Sequence, residues 1–114
     1  MIGVVSPTRR LTTRVETKGD VWVYWQCGVR ADVSRVRDVS AGGMFLELQE
    51  PLAKGQTPDL HFLVQEGSIR AQAVVRRGTR GDGLGLKFIA IEKECGHHMA
   101  ELLTRLRSIQ DSIN

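Results

Sequence analysis

The stretch from Val21 to Leu48, VWVYWQCGVRADVSRVRDVSAGGMFLEL, contains the clearest secondary-structure signals of this chain. Three runs within it are rich in β-branched and aromatic residues or alternate between apolar and polar residues, and each predicts a β-strand: Val21–Trp25, Val29–Val39 and Met44–Leu48. Gly28 and the pair Gly42–Gly43 separate the runs as turns. In the second run the alternation changes phase near Arg35–Val36, which predicts a β-bulge. The stretch therefore predicts consecutive antiparallel strands joined by short turns.

The same pattern continues downstream and then changes period. Three further strands are predicted at Leu60–Val64, Ile69–Arg77 and Leu84–Ile91, with glycine-containing turns between them. Beyond them, apolar residues recur at three- and four-residue steps, as in the stripe of an amphipathic helix: Met99, Leu102, Leu103, Leu106, Ile109 and Ile113. We expect this helix over about residues 94–110, with a ragged start because Gly96 costs about 1 kcal/mol of helix propensity.

Six short strands followed by one helix fit a single barrel domain. A closed barrel leaves no open strand edges, and the apolar stripe of the helix is buried most economically over one mouth of it. A length of 114 residues suffices for one domain with one core and not for two. The predicted fold is therefore all-β with a terminal helix: a six-stranded antiparallel β-barrel capped by a C-terminal α-helix. We expect residues 1–8 to be a flexible lead-in and residues 9–114 to be a single domain.

The composition excludes several classes of protein. Hydrophobic residues make up 41% of the chain and charged residues 25%, as in soluble globular domains. Two cysteines, Cys27 and Cys95, are too few for a disulfide scaffold and match no zinc or redox motif. No apolar run approaches the roughly 20 residues of a membrane span, and residues 1–7 lack the pattern of a signal peptide, so we expect a cytoplasmic protein without membrane insertion. The net charge of +3 permits an anionic partner without naming one.

The chain offers little that could carry catalysis. His61 lies within an apolar run, where a histidine is usually a packed or edge residue. His97 and His98 stand beside Cys95, but adjacent helical residues point about 100° apart and no further ligands follow at usable spacing. No nucleophile elbow, phosphate loop or paired carboxylates are present. We therefore expect neither an enzyme nor a site for a metal or cofactor.

Three arginines, Arg9, Arg10 and Arg14, stand just before the first predicted strand. A guanidinium group can pair bidentately with phosphate, contact the O6/N7 edge of guanine or stack on a base. A flexible segment that carries several of them can become ordered on an anionic ligand. The alternative interpretation is a solvated basic tail, and the spacing of Arg10 and Arg14 alone does not decide between the two.

A second pattern, Asp38-Val39-Ser40-Ala41-Gly42-Gly43, lies where the second predicted strand meets the third. Asp38 and Ser40 are two residues apart and therefore face the same side of an extended chain. A carboxylate suits the N1/N2 donor edge of guanine, a hydroxyl suits a phosphate or a base, and Gly43 leaves room for a ligand or for a positive φ. The alternative is a polar β-turn, which these residue types also favour.

Taken together, the two patterns resemble the PilZ domain family, which has RxxxR before the first strand and DxSxxG between the second and third. The segment Gly83-Leu84-Gly85-Leu86-Lys87-Phe88 is similar to the family's final strand, and Gly43-Met44-Phe45-Leu46 is similar to its third. The resemblance covers roughly residues 9–107. It implies a six-stranded antiparallel barrel that binds the bacterial second messenger cyclic di-GMP.

The resemblance also implies a set of ligand-binding residues: Arg9, Arg10, Arg14, Asp38, Ser40 and Gly43. The arginines would clamp guanine and phosphate groups, with Arg9 as a helper, and the other three would line the opposite wall on the barrel surface. Four further arginines are either additional ligand contacts or ordinary surface residues: Arg35, Arg37, Arg76 and Arg77.

The function that the resemblance implies is a cyclic di-GMP receptor or adapter without enzymatic activity. Ligand binding would change its conformation and signal to a downstream partner protein that the sequence does not name. The alternative is a ligand-independent PilZ-like interaction module of the kind associated with type IV pilus assembly. Divergent members of that kind lose the arginines or the DxSxxG stretch, and both are intact here. DNA or RNA binding is not expected, because single-strand-binding barrels stack bases on aromatic residues, which are only 5% of this chain.

Overall fold

The computed structural model describes the backbone of residues 14–113 and the side chains of residues 14–109. Six of its strands are β2 Trp22–Cys27, β3 Arg30–Val39, β4 Gly43–Glu47, β5 Asp59–Leu63, β6 Ile69–Thr79 and β7 Gly83–Ile91. They pair antiparallel in the order β3-β2-β5-β6-β7-β4, and the pairing of β4 with β3 closes the barrel. The predicted six-stranded barrel with a C-terminal helix is confirmed.

A short strand that the sequence did not predict precedes the barrel strands. This strand, β1 (Val15–Glu16), pairs with Asp38–Val39 at the end of β3. The buried Thr17 fixes the junction, since its hydroxyl donates a hydrogen bond to the backbone carbonyl of Val36. Two residues with one apolar side chain carry no readable period. The strand therefore depends on the edge that β3 offers it.

A helix, α1 (Gly96–Ile113), follows a 3-10 turn at Lys93–Cys95. The predicted apolar stripe is confirmed where side chains are described, because four of its members are buried: Met99, Leu102, Leu103 and Leu106. They share one core with inward residues of the barrel, among them Val23, Met44, Phe62, Ile69, Leu84 and Leu86. The helix begins at residue 96 rather than 94 because its approach is the tighter 3-10 turn.

A β-bulge in β3 decides which side chains face outward near the end of that strand. The pairing with β4 shifts between Val36 and Asp38. Val36 and Val39 are both buried, while Arg37 and Asp38 between them are both partly exposed. The bulge lies one residue beyond the predicted position near Arg35–Val36, and it turns Asp38 towards the outside of the barrel.

A cluster of charges ties α1 to two loops of the barrel. The guanidinium of Arg105 donates hydrogen bonds to both carboxylate oxygens of Glu66 and, at 3.0 Å, to Oδ2 of Asp20. The side chain of Glu66 is only 8% exposed. The hydrogen bonds from Arg105 lower the pKa of Glu66 below its ordinary value of 4.5, although burial acts in the opposite direction. The helix is therefore held in place by an ion pair that water reaches poorly.

We expect Glu66→Gln to destabilise the protein by about 1–3 kcal/mol near neutral pH, because it removes the charged partner of Arg105. Since folding lowers the pKa of Glu66, the stability it contributes is complete above 4.5 and is lost as the pH falls through the folded value. Urea denaturation should therefore show a difference between variant and unmodified protein that shrinks below pH 4.5.

The matched control for this substitution is Glu50→Gln, whose ion pair with Arg80 is exposed. This control should change the free energy of unfolding by less than about 1 kcal/mol. A difference for Glu66→Gln that stays constant down to about pH 3 would contradict the role assigned to the Arg105 pair.

Candidate functional site

An open cleft on the outside of the barrel brings the two sequence patterns together. It lies over β3, β4, β6 and β7 and has a volume of about 400 Å³. Its lining includes four of the expected site residues: Arg14, Asp38, Ser40 and Gly43. Arg9 and Arg10, the other two, lie outside the described residues. The lining also includes residues that neither pattern contains: Phe45, Arg76, Arg77, Gly85 and Lys87.

The charged residues of the two patterns form an ion pair at one end of the cleft. Arg14 directly precedes β1, and Asp38 lies opposite Glu16 across the pairing of β1 with β3. Nη1 of Arg14 donates a hydrogen bond to Oδ1 of Asp38 at 2.7 Å. The two side chains are 47% and 22% exposed, so a ligand can reach both. An exposed pair contributes at most about 1 kcal/mol to stability, which leaves both groups available for binding.

The hydroxyl of Ser40 is used within the turn between β3 and β4. It accepts hydrogen bonds from the backbone N–H groups of Gly42 at 3.1 Å and Gly43 at 3.3 Å. The N–H of Ser40 in turn donates to the carbonyl of Gly43 at 2.8 Å. Ser40 is 2% exposed. Its side chain therefore shapes one wall of the cleft from within the turn, as the polar-turn interpretation of the sequence requires.

Gly43 is needed for the close approach of two strands. It pairs with Lys87 across β4 and β7, and a Cβ at Gly43 would lie 2.2 Å from the carbonyl oxygen of Leu86. Gly43 does not have a positive φ. The sequence suggested two reasons for a glycine here, a positive φ or room for a ligand. The positive φ does not occur. The space that a Cβ would fill is occupied by the backbone of β7.

Across the sheet, the cleft extends from Asp38 to a basic edge on β6. Asp38, Phe45, Gly85 and Arg77 are successive cross-strand partners on β3, β4, β7 and β6. A Cβ at Gly85 would lie 3.3 Å from Cγ of Arg77, so the arginine side chain passes closely over the glycine. The floor of the cleft is thus an aromatic ring and a bare stretch of backbone, with a carboxylate at one end and a guanidinium at the other.

Arg77 is a cleft residue that the sequence patterns missed, although the sequence contains a signal for it. The period-two alternation from Ile69 to Val75 places Arg77 in the inward phase, where a charged side chain is rarely found. The pairing with β7 shifts between Val75 and Arg77, and both Arg76 and Arg77 are exposed. A charged side chain at a strand position that the alternation would point into the core therefore indicates a β-bulge, which turns that side chain outward.

Two of the arginines whose role the sequence left open, Arg35 and Arg37, are committed to carboxylates outside the cleft. Arg35 donates to Glu47 at 2.6 Å, and Arg37 donates to Asp82 at 2.6 Å. The hydrogen bond to Asp82 raises the pKa of Arg37 above its ordinary value. The guanidinium of Arg37 also lies over the ring of Phe45, 4.2 Å from its centroid. These two arginines support the rim and do not line the cleft.

A larger groove of about 560 Å³ lies on another part of the barrel, over β2, β5, β6 and β7. Tyr24, His61 and Arg70 line it together with two carboxylates, Asp59 and Glu92. It contains none of the four expected site residues that the structure describes, and its charges are of mixed sign. The smaller cleft has four basic residues against one acidic residue, which makes it the better match for an anionic ligand.

The histidines make no metal centre in the described part of the chain. Among residues 14–109, whose side chains the structure describes, no three or more His, Cys, Asp or Glu residues are grouped to hold a metal ion. Nδ1 of His98 lies 2.9 Å from the carbonyl oxygen of Ser68, and His97 is exposed. In the same range no helix has the length and apolarity needed to cross a bilayer.

Comparison with known proteins agrees with this architecture. The family model for the PilZ domain matches residues 8–105. The structure of K. pneumonia MrkH in its apo state is similar, with a TM-score of 0.70 and 15% sequence identity over 90% of this chain and 53% of that chain. This likeness supports the fold alone, and the present chain spans about half the length of that protein. A search of curated protein sequences gives no match. Because the family match includes both sequence patterns and nearly all of the described barrel, this chain belongs to the PilZ domain family.

Proposed function

We propose that this chain is a cyclic di-GMP receptor that changes conformation on binding and signals to a partner protein. The observation that carries the proposal is the meeting of Arg14 and Asp38, which lie 24 residues apart in sequence, at one end of a basic cleft. A guanidinium and a carboxylate side by side suit a ligand that carries both phosphate and guanine. Four basic residues against one acidic residue favour an anion over a neutral ligand.

In this proposal different cleft residues bind different groups of the ligand. Arg14, joined by Arg9 and Arg10 from the preceding segment, holds phosphate and guanine groups. Asp38 accepts hydrogen bonds from the N1/N2 edge of a guanine. Ser40 acts by fixing the turn that forms the wall.

The Arg14–Asp38 ion pair gives the proposed receptor a ligand-free arrangement that binding has to change. Each partner occupies a hydrogen-bonding position of the other at 2.7 Å, and a ligand that uses both groups competes with that contact. Since Arg14 directly precedes β1, a shift of its side chain is linked to the segment before the barrel. Ligand binding would thus select a second arrangement of this segment, which a partner protein could recognise.

The proposal is tested by thermal unfolding in the presence of cyclic di-GMP, with GTP as the control nucleotide. A ligand at about 100 times its dissociation constant stabilises the folded state by about 2.7 kcal/mol. For a domain of this size we expect the unfolding midpoint to rise by on the order of 10 °C with cyclic di-GMP. GTP, which has one guanine and a linear triphosphate, should raise it much less. Equal midpoints in both nucleotides would contradict the proposal.

We expect Asp38→Ala to weaken cyclic di-GMP binding by about 1–3 kcal/mol, because a guanine edge loses its acceptor. Simple electrostatics predicts the opposite, since the substitution removes the one carboxylate among the described residues that line the cleft and raises its positive charge. Calorimetric titration distinguishes the two outcomes. Asp59→Ala, which removes an exposed carboxylate in the other groove, is the matched control and should leave the affinity unchanged. Tighter binding by Asp38→Ala would contradict the assignment of guanine to Asp38.

A ligand-independent interaction module is the second candidate, and one feature of the surface favours it. Large apolar side chains are exposed on neighbouring strands, with Trp22 44% and Leu63 48% exposed as cross-strand partners. Tyr24 and Val33, also exposed cross-strand partners, lie on the same part of the barrel. Exposed apolar clusters commonly mark surfaces for protein partners. The absence of any response to cyclic di-GMP in the thermal experiment would favour this candidate.

A further inference from the structure

We infer that Arg77, together with Arg76 and Lys87, forms a second anion subsite in the cleft, at the end opposite the Arg14–Asp38 pair. The subsite takes a second phosphate group of the same ligand. This inference rests on the proposed function and adds to it the requirement that the ligand be a dianion with separated charges. None of these three residues belongs to either of the two sequence patterns.

The first support is the β-bulge in β6, which leaves two adjacent arginines exposed instead of one. Regular alternation in β6 would send one of Arg76 and Arg77 into the core, but the shift of pairing between Val75 and Arg77 leaves both exposed. Both line the cleft. Bulges are common beside binding sites because they re-aim a side chain without ending the strand. Here the bulge places two adjacent guanidinium groups at one edge of the cleft.

The second support is the space that Gly85 leaves for Arg77. Gly85 is the cross-strand partner of Arg77 on β7, and the position of its missing Cβ lies 3.3 Å from Cγ and 3.5 Å from Nε of Arg77. A larger residue would push this side chain away from the sheet. The glycine therefore lets the guanidinium lie low across the floor of the cleft, within reach of a bound ligand.

The third support is that the three cations of the subsite lack a carboxylate partner among the described side chains. Among the side chains that the structure describes, Arg76, Arg77 and Lys87 form no ion pair, whereas Arg35 and Arg37 on the nearby rim are each held by carboxylates. Three neighbouring cations repel one another, and an anion between them removes that repulsion. A cluster kept in this state and facing a cleft is a suitable place for a phosphate group.

The spacing of the two ends selects a ligand with two anionic groups. Asp38 and Arg77 are separated by three steps between neighbouring strands, which is about 14 Å measured along the sheet. A phosphate that lies beside Arg14 and Asp38 leaves the cations at the Arg77 end to a second anionic group. Cyclic di-GMP carries two phosphates, so the subsite at Arg77 can hold one while the Arg14 end holds the other.

The experiment compares Arg77→Ala with Arg70→Ala by calorimetric titration with cyclic di-GMP. Both substitutions remove one exposed cation from β6, but Arg70 lies outside the cleft and lines the other groove. We expect Arg77→Ala to weaken binding by about 10-fold to 100-fold, as for the loss of a hydrogen bond to a charged group. Arg70→Ala should change it by less than about threefold, which is the effect of net charge alone. Far-UV circular dichroism confirms that each variant is folded.

A third variant, Arg77→Lys, separates anion binding from stacking on a base. Lysine keeps a positive charge that binds phosphate but loses the planar guanidinium, so an anion subsite should retain clearly more affinity than Arg77→Ala does. Affinity as low as that of Arg77→Ala would overturn the anion assignment. Equal affinities for Arg77→Ala and Arg70→Ala, with binding still lost in Arg14→Ala, would overturn the inference and leave the proposed function standing. No binding by the unmodified protein would overturn both.

Discussion

Replacing Gly43 by alanine is expected to destabilise the barrel by about 3 kcal/mol or more, at the upper end of what overpacking costs. The new Cβ would lie 2.2 Å from the carbonyl oxygen of Leu86 and 3.2 Å from Cα of Lys87, and both of these atoms belong to the backbone of β7. A flexible side chain could move aside, but a paired strand cannot move without losing backbone hydrogen bonds to its neighbour. Against a typical total stability of about 5–15 kcal/mol, this loss is large enough to prevent folding of a marginal domain.

Urea denaturation of Gly43→Ala against Gly96→Ala measures this effect. Gly96 begins the helix with a φ of −58°, and outside its own helix turn a Cβ there would meet no described heavy atom within 4 Å. Alanine at Gly96 should therefore be neutral or stabilise the protein by up to about 1 kcal/mol. A Gly43→Ala protein as stable as the unmodified chain would show that β4 and β7 do not approach as closely as described. A loss of ligand binding in Gly43→Ala is consequently no evidence for a ligand contact at this residue.

Arg14→Ala is expected to reduce the affinity for cyclic di-GMP by about 100-fold or more while the fold survives. The guanidinium of Arg14 lies at the end of the cleft, and each charge-assisted hydrogen bond it gives to a phosphate or guanine is worth about 1.5–3 kcal/mol. Without the Arg14 guanidinium, the phosphate of the ligand and the carboxylate of Asp38 both lose their positively charged partner. In the absence of ligand, the exposed pair with Asp38 contributes at most about 1 kcal/mol, so the free energy of unfolding should change little. Arg10→Ala is expected to have the same effect on binding.

The control for Arg14→Ala is Arg80→Ala. Arg80 is likewise an exposed arginine in an exposed ion pair, with Glu50 at 3.0 Å, and it does not line the cleft. Calorimetry should give the unmodified affinity for Arg80→Ala and little or no binding for Arg14→Ala. If both variants bind alike, the cleft is not the ligand site. If Arg14→Ala unfolds, its ion pair carries more stability than its exposure allows.

The fold could be predicted from local patterns because each barrel strand carries its own period and its own glycine-containing turn. The runs at Leu60–Val64 and Leu84–Ile91 are examples, since apolar residues mark their inward faces and Gly67 and Gly81 mark adjoining turns. The two-residue strand β1 could not be predicted in this way. Val15 is its one buried side chain, and only pairing with the distant Val39 makes it a strand.

The lining of the candidate cleft was predictable in part, for a related reason. Asp38 and Ser40 lie within one short segment, so a local pattern is enough to mark them. The cleft itself forms between strands that are distant in sequence, and Phe45, Gly85 and Arg77 become neighbours only through pairing of β4, β7 and β6. Bulges add a further obstacle, because each one changes the inward and outward phase of all residues after it.

Val29 and Val33 show the limit of period two as a guide to burial. Their alternation with polar residues indicates a strand, but Val29 lies in the turn before β3 and Val33 lies within the strand. Both valines are exposed, Val33 to 44%. Val33 pairs with the exposed Tyr24, whereas the buried Trp25 pairs with Asp32, so the apolar phase of this alternation faces outward. A correct alternation therefore does not by itself say which face of a strand points into the core.

Titration calorimetry of the unmodified chain is the decisive measurement for the proposed binding of cyclic di-GMP in this cleft. We expect saturable binding with one or two ligand molecules per chain, and no comparable binding of GTP under the same conditions. A titration with cyclic di-GMP that gives no saturable heat in a protein shown to be folded, or an affinity for GTP as high as that for cyclic di-GMP, would contradict it.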